Sequence, residues 1–131
     1  LIVVDTSAIM AILLDEAEAD ACVAELETHD ELAISAATVA EILIVADRRG
    51  VGEEARMLLD GLGIDVVPVT AASPPRIASI YRRWGKGNHP AGLNFGDCFA
   101  YDLASERGCP LLFVGNDFTQ TNIAGVLQVG P

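Results

Sequence analysis

Four carboxylates stand out by where they fall in the chain. Asp5 follows the apolar run "LIVV", Asp117 lies two residues past "LLFVG", Asp97 comes after Gly96 at the head of "DCFAYDLA", and Glu41 is set inside "TVAEILIVA". An acid directly after an apolar strand, or at the start of a helix that follows one, lies at the carboxyl edge of a parallel α/β sheet, where such folds hold their ligands. Glu41 is harder to place on a solvated face. Burying it unpaired would cost several kcal/mol or leave it protonated, so it is expected to face the same crevice. Carboxylates gathered in this way repel one another unless a cation sits among them. Oxygen-only ligands favour a hard ion, Mg²⁺ or Mn²⁺, which takes a few carboxylates together with waters and substrate phosphate. The chemistry open to that arrangement is phosphodiester cleavage.

Each acid also has a plainer reading. Asp5 with Thr6 and Ser7 can simply cap a helix. Asp97 can be tolerated because helix N-termini favour negative charge, and Asp117 after "GN" can be a turn aspartate. Asp47 and Asp102 read as solvated helix-face charges. His89, in a loop with no spaced partner, reads as a substrate or surface contact rather than a ligand.

The elements that would position these residues follow from periodicity and punctuation. Short strands are expected at residues 1–4, "LAIS", "IDVVPV", "PLLFVG" and "VLQV", the third near an edge because Pro68 cannot donate a ladder hydrogen bond. Helices are expected from about Ala8 to Leu14, across "EAEADACVAELETHD", across "AATVAEILIVADRRG" with Gly50 as its stop, across "GEEARMLLDGLG", from Pro74 and Pro75 to about Trp84, and from Asp97 to about Arg107. "GKGNHPAGLNFG" reads as a loop. Strands alternating with helices imply an α/β fold, a parallel sheet of four to five strands with helices on both faces.

At 131 residues the chain fits a single domain spanning 1–131. No apolar stretch approaches the ~18 residues of a membrane span, and the opening run lacks the basic flank of a signal peptide. Leu1 stands directly on the first strand without an initiator Met, so the natural chain is expected to begin a residue or more earlier. Cys22, Cys98 and Cys109 are odd in number and scattered, which suits reduced thiols in a cytoplasmic protein. The net charge of −11 argues against general nucleic-acid affinity. Its distribution qualifies that: between Asp65 and Asp97 there is no acid, while Arg76, Arg82, Arg83 and Lys86 fall there with His89 beside them. Tyr81, Trp84 and Phe95 flank this basic strip, suited either to stacking on bases or to packing.

Taken together, "VVDTSAIMAIL", "ATVAEIL", "LNFGDCFAYDLA" and "LLFVGNDF" resemble, in order and spacing, the four acidic motifs of PIN-domain ribonucleases, and among them the VapC toxins of toxin–antitoxin pairs. The resemblance spans essentially the whole chain. It implies a Rossmann-like sheet, a Mg²⁺- or Mn²⁺-dependent endoribonuclease acting on RNA such as transfer or ribosomal RNA, a homodimer, and inhibition by a VapB-type antitoxin. That antitoxin is expected on the apolar surfaces of the early helices, with an Arg or Lys reaching the acids. Asp5, Glu41, Asp97 and Asp117 carry over onto the family's metal-binding acids, and Thr6 or Ser7 onto its hydroxyl beside the first. The fourth motif departs from many relatives, which have Thr where this chain has Gly115; Asn116 is a further polar contributor there. On this reading the basic strip holds RNA backbone.

Two other classes fit less well. Acid-cluster phosphatases need a second Asp where Ser7 stands, and phosphoryl-accepting receivers need a lysine after a late strand, whereas the only lysine is Lys86. A non-catalytic PIN-like binding module, its acids serving only as caps, is the remaining alternative.

Overall fold

The computed structural model describes residues 1–127. Ten elements follow one another: β1 Ile2–Val4, α1 Thr6–Leu13, α2 Ala19–Thr28, β2 Leu32–Ser35, α3 Ala36–Arg48, α4 Gly52–Gly61, β3 Asp65–Val67, α5 Ser73–Trp84, α6 Phe95–Arg107 and β4 Leu111–Leu112. The four strands form one parallel sheet in the order β3-β2-β1-β4. Ile2 pairs with Leu32, and Val3 with both Ala33 and Leu111.

The apolar character of β1 and β2 follows from their central position. Ile2, Val4, Ile34 and Leu112 pack on one face against Ala8, Ile9, Cys22 and Ile42, while Val3, Ala33, Leu111 and Phe113 pack on the other against Ile77, Cys98, Leu103 and Phe118. With both faces dry, alternation is lost and every position is apolar except Ser35, which ends β2 and caps α3. Each fully buried Val, Ile or Leu contributes about 1.5–3 kcal/mol, so even a three-residue strand is firmly held. The layers are thus α1 to α4 on one side and α5 with α6 on the other.

The expected boundaries shift where caps decide them. α1 begins at Thr6, because Asp5 itself is its N-cap and accepts from the Ser7 amide at 3.1 Å. Thr6 and Ser7 therefore lie in the first turn rather than capping it. α6 begins at Phe95, two residues before Asp97, capped by Asn94. The strand expected over "IDVVPV" narrows to an edge strand ending before Pro68, and "PLLFVG" contributes only Leu111 and Leu112 to the ladder. Of the expected strand "VLQV", Val126 donates its amide to the Leu111 carbonyl at 3.0 Å next to a parallel bridge at Gly125, and residues 128 and 129 lie outside the described residues. No helix among the described residues is long and apolar enough to cross a membrane.

Candidate active site

Asp5 leaves the carboxyl end of β1 and is buried, 4% exposed. Its Oδ2 accepts from the Ser7 amide and from Ser7 Oγ, the latter at 2.6 Å. Ser7 Oγ in turn accepts from the Val114 amide at 2.9 Å, which ties the end of β1 to the segment leading out of β4 toward Asp117. Burial is the main reason that the Asp5 carboxyl is raised from 3.8 to about 6; the Ser7 hydrogen bonds oppose the rise and the Glu41 charge adds to it.

Asp97 occupies the third position of α6 and is 7% exposed. Its amide donates to Asn94 Oδ1 at 2.8 Å, and its Oδ2 accepts from the Asn94 amide at 3.0 Å. This reciprocal capping box orients Asp97 by its own helix end. Burial raises its carboxyl from 3.8 to about 7, with the charges of Asp5, Asp117 and Glu41 adding to the rise. Asp97 therefore feels all three of the other acids.

Glu41 is half-buried on α3, and its Oε1 accepts from Thr6 Oγ1 at 2.5 Å. Asp117 is exposed in the turn after β4, next to exposed Asn116, whose backbone carbonyl accepts from the Thr119 amide. The two buried aspartates share a pattern: each commits Oδ2 to a local cap, Asp5 having a further backbone contact from Thr6, while no hydrogen bond among the described residues reaches Asp97 Oδ1. That oxygen is available to a ligand. Among the described residues no three acids, histidines or cysteines are drawn together into a preassembled metal cage.

The donor set nonetheless suits a hard cation. It is all oxygen, two of its acids are buried without a basic partner, and burial, with a smaller addition from neighbouring acids, raises their proton affinity.

The basic strip is less uniform than the sequence implies. Arg76 makes a two-pronged ion pair with Asp102, Nε to Oδ1 at 2.8 Å and an Nη2 bond at 3.1 Å, and also approaches Glu106. Asp102 is thus a partly buried ion-pair partner rather than a solvated charge, and exposed Asp47 pairs with Arg56. Arg82, Arg83 and Lys86 are exposed, and no carboxylate among the described residues forms an ion pair with them. The Arg83 guanidinium lies 4.5 Å over the Trp84 ring. Trp84 belongs to the core, donating Nε1–H to Tyr101, whose hydroxyl donates to Asn122, while His89 packs edge-on against its ring. Phe95 is 69% exposed and meets Phe99 edge-on.

Sequence reasoning missed Asn94. Its signal was present: "NFGD" places Asn three residues before Asp, the spacing of a capping box. It also gave Thr6 no partner, because the contact to Glu41 joins residues 35 apart.

The PIN-domain family profile matches residues 2–124. The chain belongs to the PIN-domain family. Within it the chain is a VapC ribonuclease. It is 42% identical over 127 residues to the VapC ribonuclease Mb0640 of Mycobacterium bovis, covering 95% of this chain and 97% of that protein. It is 40% identical to Ribonuclease VapC of Mycolicibacterium smegmatis, with 95% and 98% covered. Among solved structures, Mycobacterium tuberculosis VapC20, described as a toxin cleaving the sarcin–ricin loop, superposes with a TM-score of 0.79 over the whole of both chains at 18% identity. A toxin–antitoxin complex from Klebsiella pneumoniae matches with a TM-score of 0.68 over 93% of both chains, at 18% identity. The α/β sheet and helices described above are therefore the PIN fold, and the family membership makes the protein a ribonuclease toxin of a toxin–antitoxin system.

Proposed function

We propose that this VapC ribonuclease cleaves RNA at the edge of the sheet where Asp5, Glu41, Asp97 and Asp117 meet, with Mg²⁺ or Mn²⁺ held by those acids. One observation carries the reading: Asp97, buried at the head of α6, feels the charges of acids from the end of β1, from α3 and from the turn after β4. Geometry supports it: Glu41 accepts from Thr6, the neighbour of Asp5, and its carboxylate lies against Gly96, the neighbour of Asp97, which capping alone does not explain. A divalent ion, when bound, supplies positive charge to the scissile phosphate and acidifies water beside it. The chain's own residues do the rest. Ser7 and Asn94 fix Asp5 and Asp97 by one oxygen each, Thr6 fixes Glu41, and the remaining carboxylate oxygens would hold the cation. Thr6 and Ser7 are thus supporting residues, and Asn116, beside Asp117, is a polar group at the mouth.

RNA backbone is held by Arg82, Arg83 and Lys86, with His89 beside them; Arg76, occupied by Asp102, contributes less. With Arg82→Ala and Arg83→Ala combined, affinity for single-stranded RNA falls uniformly across sequences, and the slope of log K against log salt flattens by about 1.4, the value for two lost phosphate contacts. An unchanged slope in a filter-binding series at several salt concentrations would return the strip to ordinary surface.

A VapB-type antitoxin is expected to cover exposed apolar side chains on the helical face, such as Ile44 of α3 and Met57 of α4, and to reach the acids with a cationic residue. A homodimer is part of the same reading. The decisive test of the activity is to map cleavage ends across total RNA after brief induction, with Asp5→Ala as control. Discrete ends present with the parent and absent with the control are expected. Identical end patterns in both would refute the assignment.

A further inference from the structure

Gly96 is not required by its backbone. It lies in the first turn of α6, outside the set of glycines with left-handed φ, at a helical position where glycine is among the least favourable residues. What it makes room for is specific. A Cβ built there would lie 2.2 Å from Glu41 Oε2, 2.8 Å from Glu41 Cδ and 3.0 Å from Oε1, so its three nearest neighbours all belong to one carboxylate. On the other side the same carboxylate accepts from Thr6 Oγ1 at 2.5 Å.

We infer that Gly96 is a positioning residue: its missing side chain opens a slot at the N-terminus of α6 in which Glu41, anchored by Thr6, is seated against the helix end. The inference rests on the proposed acid site. The slot brings α1, α3 and α6 together on one side chain. Negative charge is favoured at a helix N-terminus, so the slot orients Glu41 as well as admitting it. Any side chain at position 96 displaces the carboxylate by an ångström or more. Because the displaced group is the end of a flexible chain rather than backbone, the fold accommodates the change while the site does not. Misplacements of about 1 Å cost on the order of a hundredfold in rate.

The test is Gly96→Ala, read in three ways. In a crystal structure of the metal-free variant the Glu41 carboxylate should have left the slot and lost Thr6, with thermal stability unchanged or higher. Mn²⁺ titration without RNA should show affinity weakened about tenfold or more, and cleavage should fall about a hundredfold. Shortening the acid discriminates further: Glu41→Asp should weaken Mn²⁺ binding in the parent but partly restore it in Gly96→Ala, since the shorter side chain clears the new methyl. A Glu41 carboxylate that stays in place in the variant, or parent-like Mn²⁺ affinity and cleavage, overturns the inference. Failure of the parent itself to bind Mn²⁺ would instead strike the metal reading, while the slot is still judged by the metal-free structure.

Discussion

Asp97→Asn is expected to remove RNA cleavage, by at least about a hundredfold, while raising the thermal midpoint of the metal-free protein. On the proposed reading the loss follows because Asp97 would give up the charge that holds the cation facing the scissile phosphate, and losing one preorganised electrostatic group at a reacting centre costs on that scale. The gain follows from burial. Asp97 is held at about 7 instead of 3.8, so above neutral pH the fold carries an ionised carboxyl in a dry place beside three other acids. Between those two values the folded state binds more protons than the unfolded one, and stability therefore falls as pH rises. The burden is complete above about pH 7 and absent below about pH 4. Asparagine keeps the Oδ1 acceptor needed by the Asn94 amide and drops the charge, so the capping box survives. A gain on the order of 2 kcal/mol at pH 8, or roughly 4 °C per kcal/mol for a chain of this length, should shrink toward zero near pH 4. Melting curves at both pH values check it; a variant less stable than the parent at pH 8 would contradict the electrostatic account.

This trade of stability for charge explains why the candidate acids are legible in the sequence. A carboxylate is conspicuous against apolar sequence, as Asp5 is after "LIVV" and Glu41 within "TVAEILIVA". The parallel sheet was legible for a related reason: with both faces buried, β1 and β2 contain no alternation to be misread. Contacts made at long range were not legible. Thr6 to Glu41, Ser7 to Val114 and the Gly96 slot each depend on where α1, α3, α6 and the β4 exit meet, and local periodicity contains no trace of it. The basic strip failed in a different way. Counting Arg76 with its neighbours ignored Asp102, 26 residues away on α6, whose carboxylate faces it across the packed helices. Strand ends were misjudged because pairing partners, not composition, terminate a ladder: Phe113 is as apolar as Leu112, yet only Leu111 and Leu112 find β1.

Saturating Mn²⁺ is expected to raise the midpoint of the parent at pH 8 and to reverse the pH dependence of the metal-free protein. A ligand at a hundred times its dissociation constant stabilises by about 2.7 kcal/mol, which corresponds to a rise of about 10 °C at this chain length. The cation relieves the repulsion that the acids otherwise impose on one another, so the largest effect belongs to the state in which all are ionised. Lowering the pH opposes it. Asp97 takes up a proton near 7 and Asp5 near 6, each raised chiefly by burial, and a protonated carboxyl is a poor ligand for a hard ion. The Mn²⁺-induced shift should therefore be full at pH 8, reduced near pH 6.5 and almost gone at pH 5, just where the metal-free protein is gaining stability. In Asp97→Asn the shift should be small at every pH, because the variant has already shed the charge that the ion neutralises. Chelation of the parent with EDTA at pH 8 should return both the midpoint and the cleavage rate to their metal-free values. A shift of equal size at pH 5 and pH 8 would place Mn²⁺ at some other carboxylate, one whose proton affinity burial has not raised.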